Sequence, residues 1–274
     1  MRSHYLPQHD AFIRWHEIVG DEPPVVYLPG LGIPSTANFH SVATHPVMRG
    51  RRALLIDYLG CGVSDHTDRF KHTLEEHSDT IAAVLDACRV RACSIVGHSM
   101  GGSVGISLAL SRPDLVENLI VSESNLTAGG GASSRPIAAF ALEEFVAREF
   151  PRAQAERRRD AANGDSGATF LAGAWAHVDP VGLHGNATTL VNIPSDFKER
   201  FLRLDVPRTF IYGRQDYPGE GAPVRPDAPD PQELTESGVR IAVVAEAGHH
   251  MMLDNLDGYI SVLRSALRAG NNFA

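Results

Sequence analysis

The sequence predicts an α/β fold: a mostly parallel sheet covered by helices on both faces, with a helical insertion in the second half of the chain. Three observations carry this expectation. Short continuous apolar runs alternate with stretches of helical spacing, the pattern of strands buried on both faces. The alternation breaks between residues 127 and 205, where helical patterns occur without a convincing strand. A serine between glycines stands where one apolar run meets a small-residue helix.

Taken in order, AFIRWHEI (11–18) reads as an early strand with partial alternation. PPVVYLPG (23–30) is an apolar run ending in Pro-Gly, and RRALLIDYLGCG (51–62) is another, ending in Asp57 and a Gly-rich turn. Leu74, Ile81, Val84, Leu85 and Cys88 fall near helical spacing. RACSIVGHS (91–99) is a strand that stops at Ser99. GGSVGISLAL (101–110) is a buried helix that ends before Arg112-Pro113, because the residue before a proline is pushed out of the helical region. VENLIVSES (116–124), RTFIYGRQD (208–216) and VRIAVVAEAGH (239–249) complete the strands. The last helix is expected over about 254–267, with Ile260, Leu263 and Leu267 on one side.

Within the break, 137–150 and 167–175 have helical patterns. The expected organisation is a core of 1–126 and 206–274 and a helical cap or lid of 127–205. YPGEGAPVRPDAPDP (217–231) holds five prolines and reads as an extended loop. No internal repeat is visible.

Composition narrows the function. Hydrophobic residues are 43% and charged residues 21% of 274, ordinary for a globular chain able to bury a large core. A net charge of −8, with no long basic run, excludes nucleic acid as the expected partner. No stretch approaches the ~18 consecutive apolar residues of a membrane span. MRSHYLPQHD at the N-terminus has no apolar signal region. Cys61, Cys88 and Cys93 are odd in number and have neither CxxC nor zinc-ligand spacing. These features lead to the expectation of a soluble protein of a reducing, cytoplasmic compartment; a small-molecule substrate, with neither metal nor organic cofactor, is instead the expectation that goes with the serine chemistry of Ser99. A homodimer is left open.

GHSMGG (97–102) contains a G-x-S-x-G match, with a strand before it and a helix after it. Such a tight turn needs small neighbours and holds the hydroxyl exposed above the sheet, so Ser99 is the candidate nucleophile. The N–H of Met100, next in the chain, is placed to stabilise an oxyanion. Adjacent His98 points away and is expected to be a packed histidine. The base is expected in AEAGHHMMLDN (245–255), from His249 or His250, on a loop that reaches back over the strand ends. A His-His metal pair is the rival, but no carboxylate or Cys cluster accompanies it. LPGLGIP (28–34) suits the second oxyanion donor, the N–H of Leu31, with Gly30 and Gly32 letting the backbone bend close to substrate.

Together DYLGCGVSD (57–65), GHSMGG, YGRQD (212–216) and AGHH resemble the α/β-hydrolase fold over both flanks of the chain. The resemblance implies that Ser99 sits on the nucleophile elbow and that His249 rather than His250 is the base. It leaves two acids. Asp216, after the penultimate strand, is where most members carry theirs. Glu123, at the tip of the strand after the elbow helix, is similar in place to the glutamate of zearalenone-type lactone hydrolases. Glu123 is taken as the acid and Asp216 as the alternative. One departure is Pro29-Gly30, where many members have His-Gly; backbone donors survive that change.

The implied function is a serine hydrolase that cleaves an ester or lactone of a small, largely apolar molecule through an acyl-enzyme. A carbon–carbon bond hydrolase or thioesterase would use the same residues. A ligand-binding protein or a non-hydrolytic cyclase on the same fold is the reading from another class. The insertion supplies Phe140, Phe145, Phe150, Phe170, Leu171, Trp175, Val178 and Leu183. Trp175 is the candidate pocket residue among them.

Overall fold

A computed structural model describes residues 1–218 and 228–270. The apolar runs form strands β2 (Ala11–Ile18), β3 (Asp21–Leu28), β4 (Arg51–Asp57), β5 (Cys93–His98), β6 (Val116–Ser122), β7 (Arg208–Gly213) and β8 (Arg240–Val244). Ahead of them lies β1 (Arg2–Leu6), which the sequence reading missed. Its RSHYL is mostly exposed, and only Leu6 is buried, so no apolar run marks it. It forms by antiparallel pairing with β2, from Arg2 opposite Trp15 to Leu6 opposite Ala11.

The eight strands make one sheet in the order β1-β2-β4-β3-β5-β6-β7-β8. The pairs β1/β2 and β2/β4 are antiparallel, and every later pair is parallel. Alternate side chains leave opposite faces of each strand. On β3, Val26 and Leu28 enter one core cluster, and Val25 and Tyr27 enter the other.

Helices α1 (Ser35–Ala43), α2 (Leu74–Ala87) and α3 (Met100–Ser111) follow β3, β4 and β5. Thr73 caps α2, its hydroxyl accepting the Glu76 N–H at 3.1 Å. Phe39 and Val42 of α1 pack on one face of the sheet, and Ile81 of α2 with Val104 of α3 on the other. From the neighbours β3 and β5 the chain therefore leaves to opposite faces. That reversal opens a crevice at their carboxyl ends, where open α/β sheets bind ligands.

Between β6 and β7 the described chain is helical: α4 (Ser134–Ala138), α5 (Leu142–Glu144), α6 (Phe150–Ala162), α7 (Ser166–Trp175), α8 (Pro180–Val191) and α9 (Phe197–Leu202). The expected helix over 137–150 is broken. A π-helical turn, Phe145–Glu149, precedes α6. Pro151 has no N–H for the carbonyl four residues back, and the turn ahead of it widens. Ile137, Phe145, Phe150, Trp175 and Leu183 form a third apolar cluster with Ile33 and Cys61. Leu190, Phe197 and Phe201 instead join the main core.

After β7, residues 219–227 of the proline-rich stretch lie outside the described residues. Its end differs from the expected loop: Pro231 opens α10 (Pro231–Glu236), with Asp230 accepting the Gln232 N–H at 2.9 Å. The terminal helix is split into α11 (Met251–Asp254) and α12 (Leu256–Gly270). Asn255 separates them, its side-chain oxygen accepting the Gly258 N–H at 2.9 Å. The three cysteines are free thiols. Among the described residues no helix is long and apolar enough to cross a membrane.

Candidate active site

β5 delivers the chain to Ser99 at full speed and α3 turns it away within one residue. Ser99 has φ 53° and ψ −120°, backbone that L-residues rarely adopt. Such strain costs about 1–3 kcal/mol and persists where the surroundings over-determine it. Here Ser99 N–H donates to the Ser122 carbonyl at 2.8 Å, tying the turn to β6. The flanking glycines are required by space. A Cβ on Gly97 would run into the Gly101 carbonyl, and one on Gly101 into the Leu28 carbonyl.

The Met100 N–H opens α3, at the positive end of that helix. Leu31 follows β3 on the facing loop. Asn38 of α1 shapes this loop by accepting the Gly30 N–H through Oδ1 at 3.0 Å, while Ile33 N–H donates to the Gly30 carbonyl at 3.2 Å. Among the described residues no protein group accepts the N–H of Leu31 or Met100. Gly30 and Leu31 line the cavity above Ser99. Gly32 does not. It has φ 67° and packs beneath Leu183 and Trp175, its Cβ position lying 3.2 Å from Trp175 Nε1.

Three imidazoles meet beside the serine. His98 is fully buried, with Nδ1 3.5 Å from Ser122 Oγ. Its ring centre lies 4.9 Å from that of His249 and 5.5 Å from that of His250. Burial holds the His98 pKa well below its ordinary value, and the two neighbouring histidines add to this. His98 is therefore a neutral packing group, as expected. His250 caps α11 and packs near Phe170; burial lowers its pKa against the opposing pull of Asp254. His249 is exposed and faces the cavity. Gly248, before it, is fixed by donating its N–H to Asp254 Oδ2 at 3.0 Å.

Both candidate acids border the same cavity. Glu123 leaves β6 at φ 48°, with its N–H on the Ile211 carbonyl at 3.1 Å. Its Oε1 accepts the Gly213 N–H at 2.7 Å. Gly213 abuts the Gly248 carbonyl too closely for any side chain. The Glu123 carboxylate is thus held at the tip of β7, one backbone layer from the histidine loop. Asp216 stands in the turn after β7, its N–H on the Gly213 carbonyl at 3.1 Å. Its Oδ2 lies 3.6 Å from the Cβ position of Gly248.

The cavity has a volume of about 510 Å³. Ser99, His249, His250, Glu123 and Asp216 form its floor, and the insertion forms its roof through Phe140, Phe145, Leu171 and Trp175. Of the other aromatic and aliphatic residues that the insertion supplies, Phe150, Val178 and Leu183 pack within the third apolar cluster. Sequence reasoning missed Asn38, whose effect is purely a backbone bond. It also missed the charged wall of Glu149, Arg152 and Arg157. These look like an ordinary solvated helix face, and their one sequence signal is the arginine run 157–159. Among the described residues no group of three or more His, Cys, Asp or Glu could hold a metal ion.

Comparison with known proteins agrees with this architecture. Residues 23–217 match the family model described as the alpha/beta hydrolase fold. The chain is similar to a sn-1-specific diacylglycerol lipase, ABHD11, of Danio rerio, 41% identical over 103 residues. That match spans 37% of this chain and 32% of the lipase. Among solved structures, the esterase EaEST from Exiguobacterium antarcticum superposes with a TM-score of 0.76 at 18% identity, covering 95% of this chain and 98% of that one. The enol-lactonase from Burkholderia xenovorans LB400 gives 0.73 at 18% identity, covering 97% and 100%. These two likenesses concern the fold, and the family match, over well more than half of the residues, places this chain in the alpha/beta hydrolase fold family.

Proposed function

We propose that this protein is a serine hydrolase that cleaves a carboxylic ester or lactone of a small molecule by way of an acyl-enzyme. One observation carries the reading. Ser99, strained at the strand-to-helix turn, shares a cavity with His249 and with the Leu31 loop above the start of α3. Proton acceptor, nucleophile and oxyanion donors are the parts acyl transfer needs in one place.

Ser99 Oγ attacks the substrate carbonyl and gives its proton to His249. The carbonyl oxygen, now negative, is received by the N–H groups of Leu31 and Met100. His249 returns the proton to the leaving alkoxide, and the ester becomes a Ser99 acyl-enzyme. Water, deprotonated by His249, attacks next; Ser99 recovers its proton as the acid leaves. His98 stays neutral throughout, which spares the imidazolium of His249 a like charge beside it. The insertion acts as a cap that keeps the acyl portion away from bulk water. The lipase, esterase and enol-lactonase named above lend this chemistry support by analogy.

Glu123 is proposed to orient His249, with Asp216 the alternative. The Gly213 N–H fixes one Glu123 oxygen, which leaves little freedom to the side chain. Labelling with an organophosphonate and turnover of chromogenic esters test both claims. Wild type is expected to label at Ser99 and Ser99→Ala to lose label and turnover together. Glu123→Gln is expected to lower kcat by about 10²–10⁴ and Asp216→Asn by less than about tenfold. The reverse pattern would move the acid to Asp216, and a wild type that neither labels nor turns over would remove the hydrolase reading.

A further inference from the structure

The roof of the cavity carries a cation that forms no ion pair among the described residues. Arg157, on α6, lines the cavity and is only partly exposed. Its guanidinium lies 3.8 Å from the centre of the Trp175 ring, and Trp175 in turn stacks on Phe150 at 5.5 Å. Its hydrogen bond is to a carbonyl of its own helix, Nη1 to Ala153 O at 3.2 Å. Among the described residues it has no ion-pair partner. The neighbouring charges on that wall are satisfied: Arg152 binds Glu149 at 3.0 Å through Nε and reaches Glu156 at 3.7 Å.

Resting on the serine hydrolase reading, we propose that Arg157 binds an anionic oxygen group, carboxylate or phosphate, at the end of the substrate remote from the scissile carbonyl. A half-buried guanidinium gains from a direct anionic partner, and Glu156 acts on Arg157 without forming an ion pair with it. Burial already pulls the Arg157 pKa down, with Glu156 opposing it. The Trp175 face holds the guanidinium in place, and with Nη1 on the Ala153 carbonyl the N–H groups of Nε and Nη2 are left for a planar or tetrahedral anion. The carboxylates Glu123 and Asp216 occupy the floor beside Ser99. An anionic group therefore belongs at the roof, away from the reacting centre, and the apolar wall between the two suits a short hydrocarbon or aromatic spacer.

Matched 4-nitrophenyl esters test the idea. One arm carries acyl chains of rising length ending in a carboxylate, a second ends in a phosphate monoester, and the controls end in a neutral amide. Wild type is expected to prefer at least one anionic arm by about tenfold or more in kcat/KM, mainly through KM. Arg157→Met keeps an unbranched side chain of similar bulk without the charge and is expected to erase that ratio, while Arg157→Lys restores part of it. Whichever arm is preferred identifies the anion. A wild-type ratio near one at every length, or a ratio untouched by Arg157→Met, overturns the proposal and leaves Arg157 a structural partner of Trp175.

A second readout separates this failure from failure of the hydrolase reading. Suberate or an alkyl phosphate, added without any ester, should quench tryptophan fluorescence saturably in wild type and not in Arg157→Met. Saturable quenching without ester turnover would retain anion binding and discard hydrolysis. Neutral ester turnover with no quenching and a flat ratio would do the opposite.

Discussion

The seam between α2 and the helical insertion contains two histidines that should make the protein sensitive to mild acid. His77 of α2 is fully buried, and its Nε2 lies 2.7 Å from Asn186 Oδ1 of α8. His72 lies beside it, with ring centres 5.9 Å apart, and Phe70 stacks edge-on against both. Tyr58 closes the far side of His77 at 4.7 Å. Burial lowers the pKa of His72 to about 4 against an opposing pull from Asp179, and that of His77 to about 3 with His72 adding to the shift. Both lie below the ordinary 6.5, so the unfolded chain takes up protons first as pH falls. Their contribution is intact above about pH 6.5, drains as pH drops through that value, and stops falling below the folded pKa values. At pH 5 each has lost about 1.5 × 1.36, or ~2 kcal/mol, and the pair ~4 kcal/mol. That is a large part of the about 5–15 kcal/mol that holds a typical domain together. Asp57, whose pKa burial raises, acts in the opposite direction. Urea unfolding of wild type and His77→Gln at pH 7.5 and pH 5 isolates the effect, because glutamine can still offer an N–H to Asn186. Wild type should lose about 2 kcal/mol more than the variant between the two pH values. Equal losses would refute the reasoning, since His77 would then be solvated or already protonated in the folded protein.

Two further substitutions probe the floor of the cavity. Gly101→Ala should cost about 1–3 kcal/mol by driving a methyl into the Leu28 carbonyl, and should abolish phosphonate labelling of Ser99 at temperatures where circular dichroism still reports a folded protein. Asn38→Ala leaves the buried Gly30 N–H without its acceptor, at a cost of about 1–3 kcal/mol. Because that bond shapes the Leu31 loop, ester kcat should fall about tenfold with KM little changed, as steady-state kinetics would register.

What could be read from the sequence follows from what each element is buried against. Strands covered on both faces, such as VENLIVS and RTFIYG, announce themselves by composition alone. β1 does not, because RSHYL is an edge strand whose side chains mostly meet water and whose stability comes from its pairing with β2. The elbow was legible because steric exclusion leaves a residue-type signature: Gly97 and Gly101 have no room for a Cβ. The break of the 137–150 pattern was less legible. Its apolar spacing is helical, and only Pro151, just beyond it, forces the wider turn. The charged wall was hidden for another reason. Neighbours in the run 157–159 differ in exposure, and only the packing of Trp175 on Arg157 separates the cavity-facing arginine from the exposed Arg158 and Arg159.

Glu123 shows where sequence reasoning stops and what geometry adds. A carboxylate ending the apolar run of β6 has to be exposed, neutral or bonded. Counting residues places it at a strand tip 24 positions after Ser99, yet leaves its partner open. One partner that the fold supplies is a backbone group, the Gly213 N–H at the end of β7, which no side-chain motif could signal. The φ of 48° turns Glu123 out of the sheet toward that N–H, and the absence of a Gly213 side chain lets the histidine loop lie directly over it. Orienting an imidazole demands a carboxylate that does not wander, and a glutamate starts with more rotamer freedom to lose than an aspartate. A charge-assisted backbone bond offsets that disadvantage. The same bond explains why Glu123→Gln is the informative substitution: an amide oxygen can still accept from Gly213, so any loss of rate would report on charge and on the histidine, with the position of the side chain preserved.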